Sequence, residues 1–130
     1  MVLHSRIVGE GNNIIVILHG LFGSGDNWKT YANKLEAKGF CIHLIDQRNH
    51  GRSFHSDEFN YNLLVKDLKY YLDHNKIHNC ILMGHSMGGK TAMNFALKQA
   101  KGKWLARIDD DIIWHKDHLK RSLEYCKKNN

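Results

Sequence analysis

Five consecutive aliphatic residues, Ile14-Ile15-Val16-Ile17-Leu18, constrain the fold of this chain more than any other feature. A strand with one wet face alternates apolar and polar side chains. A run without alternation needs cover on both faces, the condition found inside a parallel sheet flanked by helices. The same run is far short of the ~20 apolar residues that cross a bilayer, so no membrane span is expected. Nothing in the 130 residues resembles a signal peptide, and the default compartment is the cytoplasm.

The rest of the chain repeats the pattern of strand and helix. Val2 to Val8 can form a strand, and Gly9-Glu10-Gly11-Asn12-Asn13 supplies the residues that reach positive φ in a tight turn, predicting an N-terminal hairpin with residues 14–18. Asp26 is placed to cap a helix with Trp28, Tyr31, Ala32 and Leu35 on one face, ending at Gly39. Residues 40–45 read as the next strand. A second helical stripe follows at Leu64, Val65, Leu68, Tyr71 and Leu72, then a strand near 80–84 and a helix from Gly89 to Lys98. Such alternation predicts an α/β fold with a doubly wound, mostly parallel sheet, in which loops at the carboxyl ends of the strands build the site.

Composition narrows the function classes. With 42% hydrophobic and 25% charged residues the chain reads as an ordinary globular domain. Cys41, Cys80 and Cys126 are odd in number and lack metal-ligand spacing, which argues against a disulfide framework or a zinc knuckle. The formal charge of +6 is uneven: residues 1–97 carry ten Lys/Arg against eight Asp/Glu, whereas residues 98–130 carry nine against five. No basic block is interleaved with aromatics, so nucleic acid is not an expected partner. The chain is read as an N-terminal unit, 1–97, with a basic strand-helix tail, 98–130, packed on the same domain.

The chemistry centres on Gly84-His85-Ser86-Met87-Gly88, a G-x-S-x-G sequence directly after a predicted strand and directly before a predicted helix. A serine at that sharp turn needs a strained backbone, and side chains two positions to either side would collide, which gives Gly84 and Gly88 a steric reason. The helix N-terminus aims the Met87 N–H at a developing oxyanion. The glycine-rich loop His19-Gly20-Leu21-Phe22-Gly23-Ser24 follows the first buried strand and is the expected source of a second donor: the Leu21 N–H first, Phe22 as the fallback. His85 is adjacent to Ser86 and cannot bring its ring into line with the hydroxyl, so it is read, with His19 and Gly20, as a pocket residue. His19 is expected to brace the loop. His4, His43, His55, His74 and His78 have no motif around them.

HGLFGS at 19–24, DQRNHGRS at 46–53 and GHSMGGK at 84–90 together resemble the α/β-hydrolase superfamily, in its small bacterial esterase branch, over residues 1–97. The resemblance implies a partial α/β-hydrolase fold and a serine esterase acting on small acyl esters or thioesters without a cofactor. It also implies structural roles for Asp46, Arg48 and Ser53 in a shaped loop that includes His50. The family's order is Ser, then Asp or Glu, then His, and the usual acid and base positions are absent from the 44 residues after Ser86. Asp109, Asp110 and Asp111 precede His115 and His118, so Asp109, Asp111, His115 and His118 are the weak candidates for the missing partners.

The tail has a likeness of its own. Ala96 to Asp111 resembles the helix–glycine–strand–D-x-D segment of family-2, GT-A-type glycosyltransferases, and Trp114 to Asn130 the helix after it. Acidic oxygens at a strand end suit Mg²⁺ or Mn²⁺, but hydrolase motifs stand where the nucleotide-binding strand of a transferase belongs, so no metal is expected. Besides a working esterase, three alternatives stay open: a hydrolase-fold remnant without base and acid, a fusion or truncation product joined near residues 95–100, and a self-associating chain whose partner copy supplies the histidine.

Overall fold

The computed structural model describes residues 1–99 and 117–128. The elements run β1 (Ser5–Val8), β2 (Asn13–Leu18), a single 3₁₀ turn (Gly25–Trp28), α1 (Lys29–Glu36), β3 (Phe40–Ile45), α2 (Tyr61–His74), β4 (Ile81–Gly84), α3 (Met87–Gln99) and α4 (His118–Lys128). The strand expected in the 98–130 tail, at a possible sheet edge near residues 104–108, lies outside the described residues.

The sheet order is β1-β3-β2-β4. β2 runs parallel to β3 on one side and to β4 on the other, while β1 is antiparallel to β3. The expected hairpin is therefore corrected. The chain does reverse at Gly9, whose φ is +83°, but β3 lies between β1 and β2. The cause is burial: Ile15 to Leu18 are all inside, and parallel neighbours occupy both edges of β2. The half-exposed β1, with Ile7 open to solvent, can serve only at the edge.

Strand alternation sorts the side chains into two cores. Ile15 and Ile17 of β2 with Ile42 and Leu44 of β3 meet α1 through Ala32, with Trp28 and Leu35 packed alongside. Val16, Leu18 and Ile45 face the other way and meet α2 through Leu68, Tyr71 and Leu72, with Ala92 and Phe95 of α3 against them. The unalternating apolar run is thus two interleaved faces, each covered by a helix layer. Tyr71 also carries a polar link across this core: its hydroxyl donates to Ser5 Oγ at 2.7 Å and accepts from His43 Nδ1 at 2.7 Å. Burial pushes the His43 pKa down.

Asp26 does not cap α1. It lies in the 3₁₀ turn and pairs with Arg6 at 2.7 Å, whereas the turn begins after Ser24, whose N–H donates to Asn27 Oδ1 at 2.6 Å. α2 does have a side-chain cap, Asn60 Oδ1 accepting from Leu63 N at 3.0 Å.

From β2 the chain crosses to β3 on one side, and from β3 it crosses past β2 to β4 on the other. The carboxyl ends of β2 and β4 are thus adjacent where the winding changes direction, the place at which open α/β sheets build their sites. Leu18 and Gly84 are register partners there.

Candidate active site at the β2–β4 switch point

The serine turn is held by close backbone packing. Ser86 has φ of +51°, in the left-handed region that ordinary residues avoid. A Cβ at Gly84 would lie 2.3 Å from the Gly88 carbonyl oxygen, and a Cβ at Gly88 would lie 2.3 Å from the Leu18 oxygen and 2.7 Å from that of His19. Both glycines are therefore required by backbone approach. The turn is pinned by His85 N–H donating to Leu18 O at 3.0 Å and Gly88 N–H donating to His85 O at 2.9 Å. Ser86 is exposed, while Met87, the first residue of α3, is buried. Among the described residues no acceptor takes the Met87 N–H.

The loop after β2 faces this turn. Gly20 is close enough to the serine that an added Cβ would sit 2.8 Å from His85 Nδ1 and 3.3 Å from Ser86 Cβ. Gly20 to Gly23 form a tight turn closed by Gly23 N–H donating to Gly20 O at 3.0 Å. Phe22, at its third position, has φ of +61°, the conformation a type II turn demands and glycine usually supplies. The Gly20 oxygen also accepts from His19 Nδ1 at 2.7 Å. In a trans peptide the carbonyl and the following N–H point in opposite directions, so two donors on the Gly20 carbonyl also fix the direction of the Leu21 N–H. The N–H groups of Leu21 and Phe22 have no acceptor among the described residues.

His19, Gly20, Leu21, Phe22, Gly23, Asn27, Trp28, His85 and Ser86 together line an open cleft of about 510 Å³. A broader hollow at the opposite end of the sheet, around Gly9, Glu36 and Phe40, contains none of the motif residues. The structure thus brings His19, Gly20, Leu21, Phe22, His85 and Ser86 to one cleft, with Gly84, Met87 and Gly88 forming the turn beneath it. Asn27 and Trp28 also line it, although the sequence reading assigned Trp28 only to a helix face. Its ring lies 6.1 Å from that of His85.

The motif at residues 46–53 is the brace. Asp46 is buried and its carboxylate accepts from Gly25 N at 2.7 Å, Arg52 N at 2.9 Å and His4 Nδ1 at 3.1 Å. Arg48 pairs with Asp67 of α2 through both Nε and Nη2 and donates from Nη1 to the Glu58 carbonyl at 2.8 Å. The fork-shaped pair ties the loop to the helix layer. Ser53 Oγ accepts from His4 N at 2.8 Å and donates to the Asp46 carbonyl.

Histidine geometry separates the candidates for a base. His19 is buried, with Nδ1 on Gly20 O and Nε2 accepting from Gln47 N at 3.0 Å, so neither nitrogen is free. Burial pushes its pKa down, opposed by the hydrogen bond to the Gly20 carbonyl. His50 Nδ1 faces the Arg48 carbonyl at 2.9 Å. His4 pairs with Asp46, but β1 is at the far edge of the sheet, about 14 Å from β4 at the usual strand spacing. Asp109, Asp111 and His115 lie outside the described residues, as does the His118 side chain at the start of α4.

Residues 13–103 match the alpha/beta hydrolase fold family. The chain is 48% identical over 88 residues to the sn-1-specific diacylglycerol lipase ABHD11 of Xenopus laevis, covering 67% of this chain and 28% of the lipase. It is 36% identical to ethanol acetyltransferase 1 of Kluyveromyces lactis, over 84% of this chain and 30% of that enzyme. Among solved structures, a marine microorganism esterase superposes with a TM-score of 0.72 at 46% identity, over 75% of this chain and 37% of its own. The chain spans less than a third of the length of these curated relatives. No helix among the described residues is long and apolar enough to cross a membrane. With the matched segment covering most of the chain and the serine turn and glycine loop brought together at the switch point, the protein belongs to the α/β-hydrolase fold family.

Proposed function

We propose that the chain carries the nucleophile and anion-binding half of an esterase site. Ser86 Oγ attacks the carbonyl carbon of a small acyl ester or thioester. The oxygen that becomes negative is held by the N–H groups of Met87 and Leu21, with Phe22 N–H as the alternative second donor. The alcohol or thiol leaves with a proton, and water then releases the acyl group from Ser86. The observation that carries this reading is the cleft itself: a serine at positive φ, exposed, with unengaged N–H groups on both sides. The relatives named above are a lipase, an esterase and an acetyltransferase, and an acyl group carried on an oxygen is common to those activities.

A second reading has its own support, because among the described residues no histidine is hydrogen-bonded to Ser86 Oγ: His19 has both nitrogens engaged, and His4 is across the sheet. In that reading the cleft binds acyl compounds without turnover. Hydrolysis of p-nitrophenyl acetate and butyrate by the 130-residue chain and by its Ser86→Ala variant separates the two. Esterase function predicts turnover that disappears in the variant, as expected for loss of the nucleophile. Equal background rates in both, with the cleft still binding butyrate by NMR, would establish the non-catalytic reading.

A further inference from the structure

Gln47 has the most unusual polar environment among the described residues. Its side chain is 2% exposed, in the loop directly after β3, and it contacts His19 twice. Its backbone N–H donates to His19 Nε2 at 3.0 Å, and its side-chain Nε2 donates to the His19 carbonyl at 2.8 Å. Its Oε1 is buried with no hydrogen-bond partner among the described residues. A buried amide held with one end unsatisfied costs stability, so its placement calls for a role in positioning something else.

Each link of the resulting chain is fixed by hydrogen-bond chemistry. The Gln47 N–H can only donate, so His19 Nε2 must be the bare acceptor nitrogen and Nδ1 must carry the proton. The Nδ1–H then donates to Gly20 O, which also takes the Gly23 N–H. That carbonyl sets the opposed direction of the Leu21 N–H through the rigid peptide plane. We propose that Gln47 is a positioning residue that acts through His19 to hold the Leu21 N–H towards the Ser86 cleft, and that a second proton on His19 releases it.

A proton on His19 Nε2 would face the Gln47 N–H, donor against donor, and the 3.0 Å contact must open. The groups that bear on the ring are His50, with centroids 5.0 Å apart, and the Asp46 carboxylate; His50 opposes the added proton and Asp46 favours it. Burial outweighs both and keeps the ring neutral. The inference rests on the proposed anion site for its meaning in catalysis, but the relay itself is testable without turnover.

The test uses the full chain labelled with ¹⁵N, alongside Gln47→Leu, which keeps the backbone N–H but removes the side-chain bond to the His19 carbonyl. Without that second tie His19 is no longer held against the Gln47 N–H, and its Nε2 contact and the Gly20 carbonyl beyond it loosen. The relay predicts His19 as the Nδ1–H tautomer, titrating below the ordinary histidine value. It also predicts exchange of the Gly23 amide about tenfold faster in Gln47→Leu, the effect of one lost hydrogen bond, with β2 and β3 amides unchanged. Where the chain hydrolyses p-nitrophenyl acetate, kcat falls by a similar factor with KM unchanged. A His19 proton on Nε2 at neutral pH, an unaltered Gly23 amide, or acceleration shared by the whole sheet would each overturn the proposal. Absence of Ser86-dependent turnover with the tautomer and Gly23 results intact would instead count against the esterase reading alone.

Discussion

Replacing Gly88 by alanine sets helix propensity against packing where the backbone of α3 closely approaches the end of β2. Alanine in a helix is favoured over glycine by about 1 kcal/mol. The added methyl would lie 2.3 Å from the Leu18 oxygen, whereas ordinary contact begins near 3.4 Å, so α3 must retreat from β2 by the difference, about 1.1 Å. Neither the Leu18 nor the His19 carbonyl can yield, because both belong to the strand end and loop that form the cleft. Forced overpacking of this kind costs about 1–3 kcal/mol. The intrinsic gain offsets part of it, leaving a net loss of about 0–2 kcal/mol and a fall in melting temperature of up to roughly 10 °C for a chain of this size, with the full cost of about 1–3 kcal/mol separating it from a variant that gains the same propensity without the clash. Function should suffer more than stability, since a displacement of about 1 Å in a positioned group costs on the order of 10²-fold in rate. Gly89→Ala is the control: its methyl would meet only the Gly84 oxygen at 3.1 Å, a contact relieved by a few tenths of an ångström. Thermal melts and p-nitrophenyl acetate assays on the two variants make the comparison. A Gly88→Ala protein as stable and as active as Gly89→Ala would refute the account of the turn.

Tyr71→Phe leaves the His43 Nδ1–H and Ser5 Oγ without their shared partner and should cost about 1–3 kcal/mol in urea unfolding, with no change in the cleft. Asp67→Ala strands a buried Arg48 guanidinium and should cost about 3–5 kcal/mol, visible as a lowered urea midpoint. Acid should also destabilise the fold through His19 and His43. Both have folded pKa values below the ordinary 6.5, so at a pH between the two values the unfolded chain binds more protons. Their contribution is complete above about pH 6.5 and declines as pH falls towards the folded values. Urea midpoints at pH 7.5, 6.5 and 5.5 should decrease in that order, and His43→Gln, which removes one of the two titrating groups, should weaken the trend.

The strands and helices were legible where a single residue pattern decided them. The run from Ile14 to Leu18 specified a strand covered on both sides, and Leu64, Val65, Leu68, Tyr71 and Leu72 are all buried on α2 as their spacing required. Pairing was less legible. The glycines at 9 and 11 encode a reversal, but which strand is received beside β1 depends on the crossovers through α1 and α2, which no local turn signal records. The serine turn was readable because Gly84 crowds Gly88 within the motif itself, although the approach of Gly88 to Leu18 and His19 is a tertiary contact that the motif does not record. The brace by Gln47 was not, since a glutamine in a polar loop carries no mark of burial until β3 delivers it beneath the His19 loop.

The turn at Gly20–Gly23 has a consequence for selectivity. It contributes to the cleft only main-chain groups for the proposed anion site, while the Phe22 side chain is 93% exposed and that of Leu21 is 53% exposed. Neither side chain is needed to close the turn, whose hydrogen bond joins Gly20 to Gly23. Reactivity and preference are therefore separable in this loop: position 21 and, within the limits of its positive φ, position 22 can be varied to suit differently shaped acyl groups while the donor geometry stays the same. A library confined to those two positions would sample substrate range on a fixed chemical background.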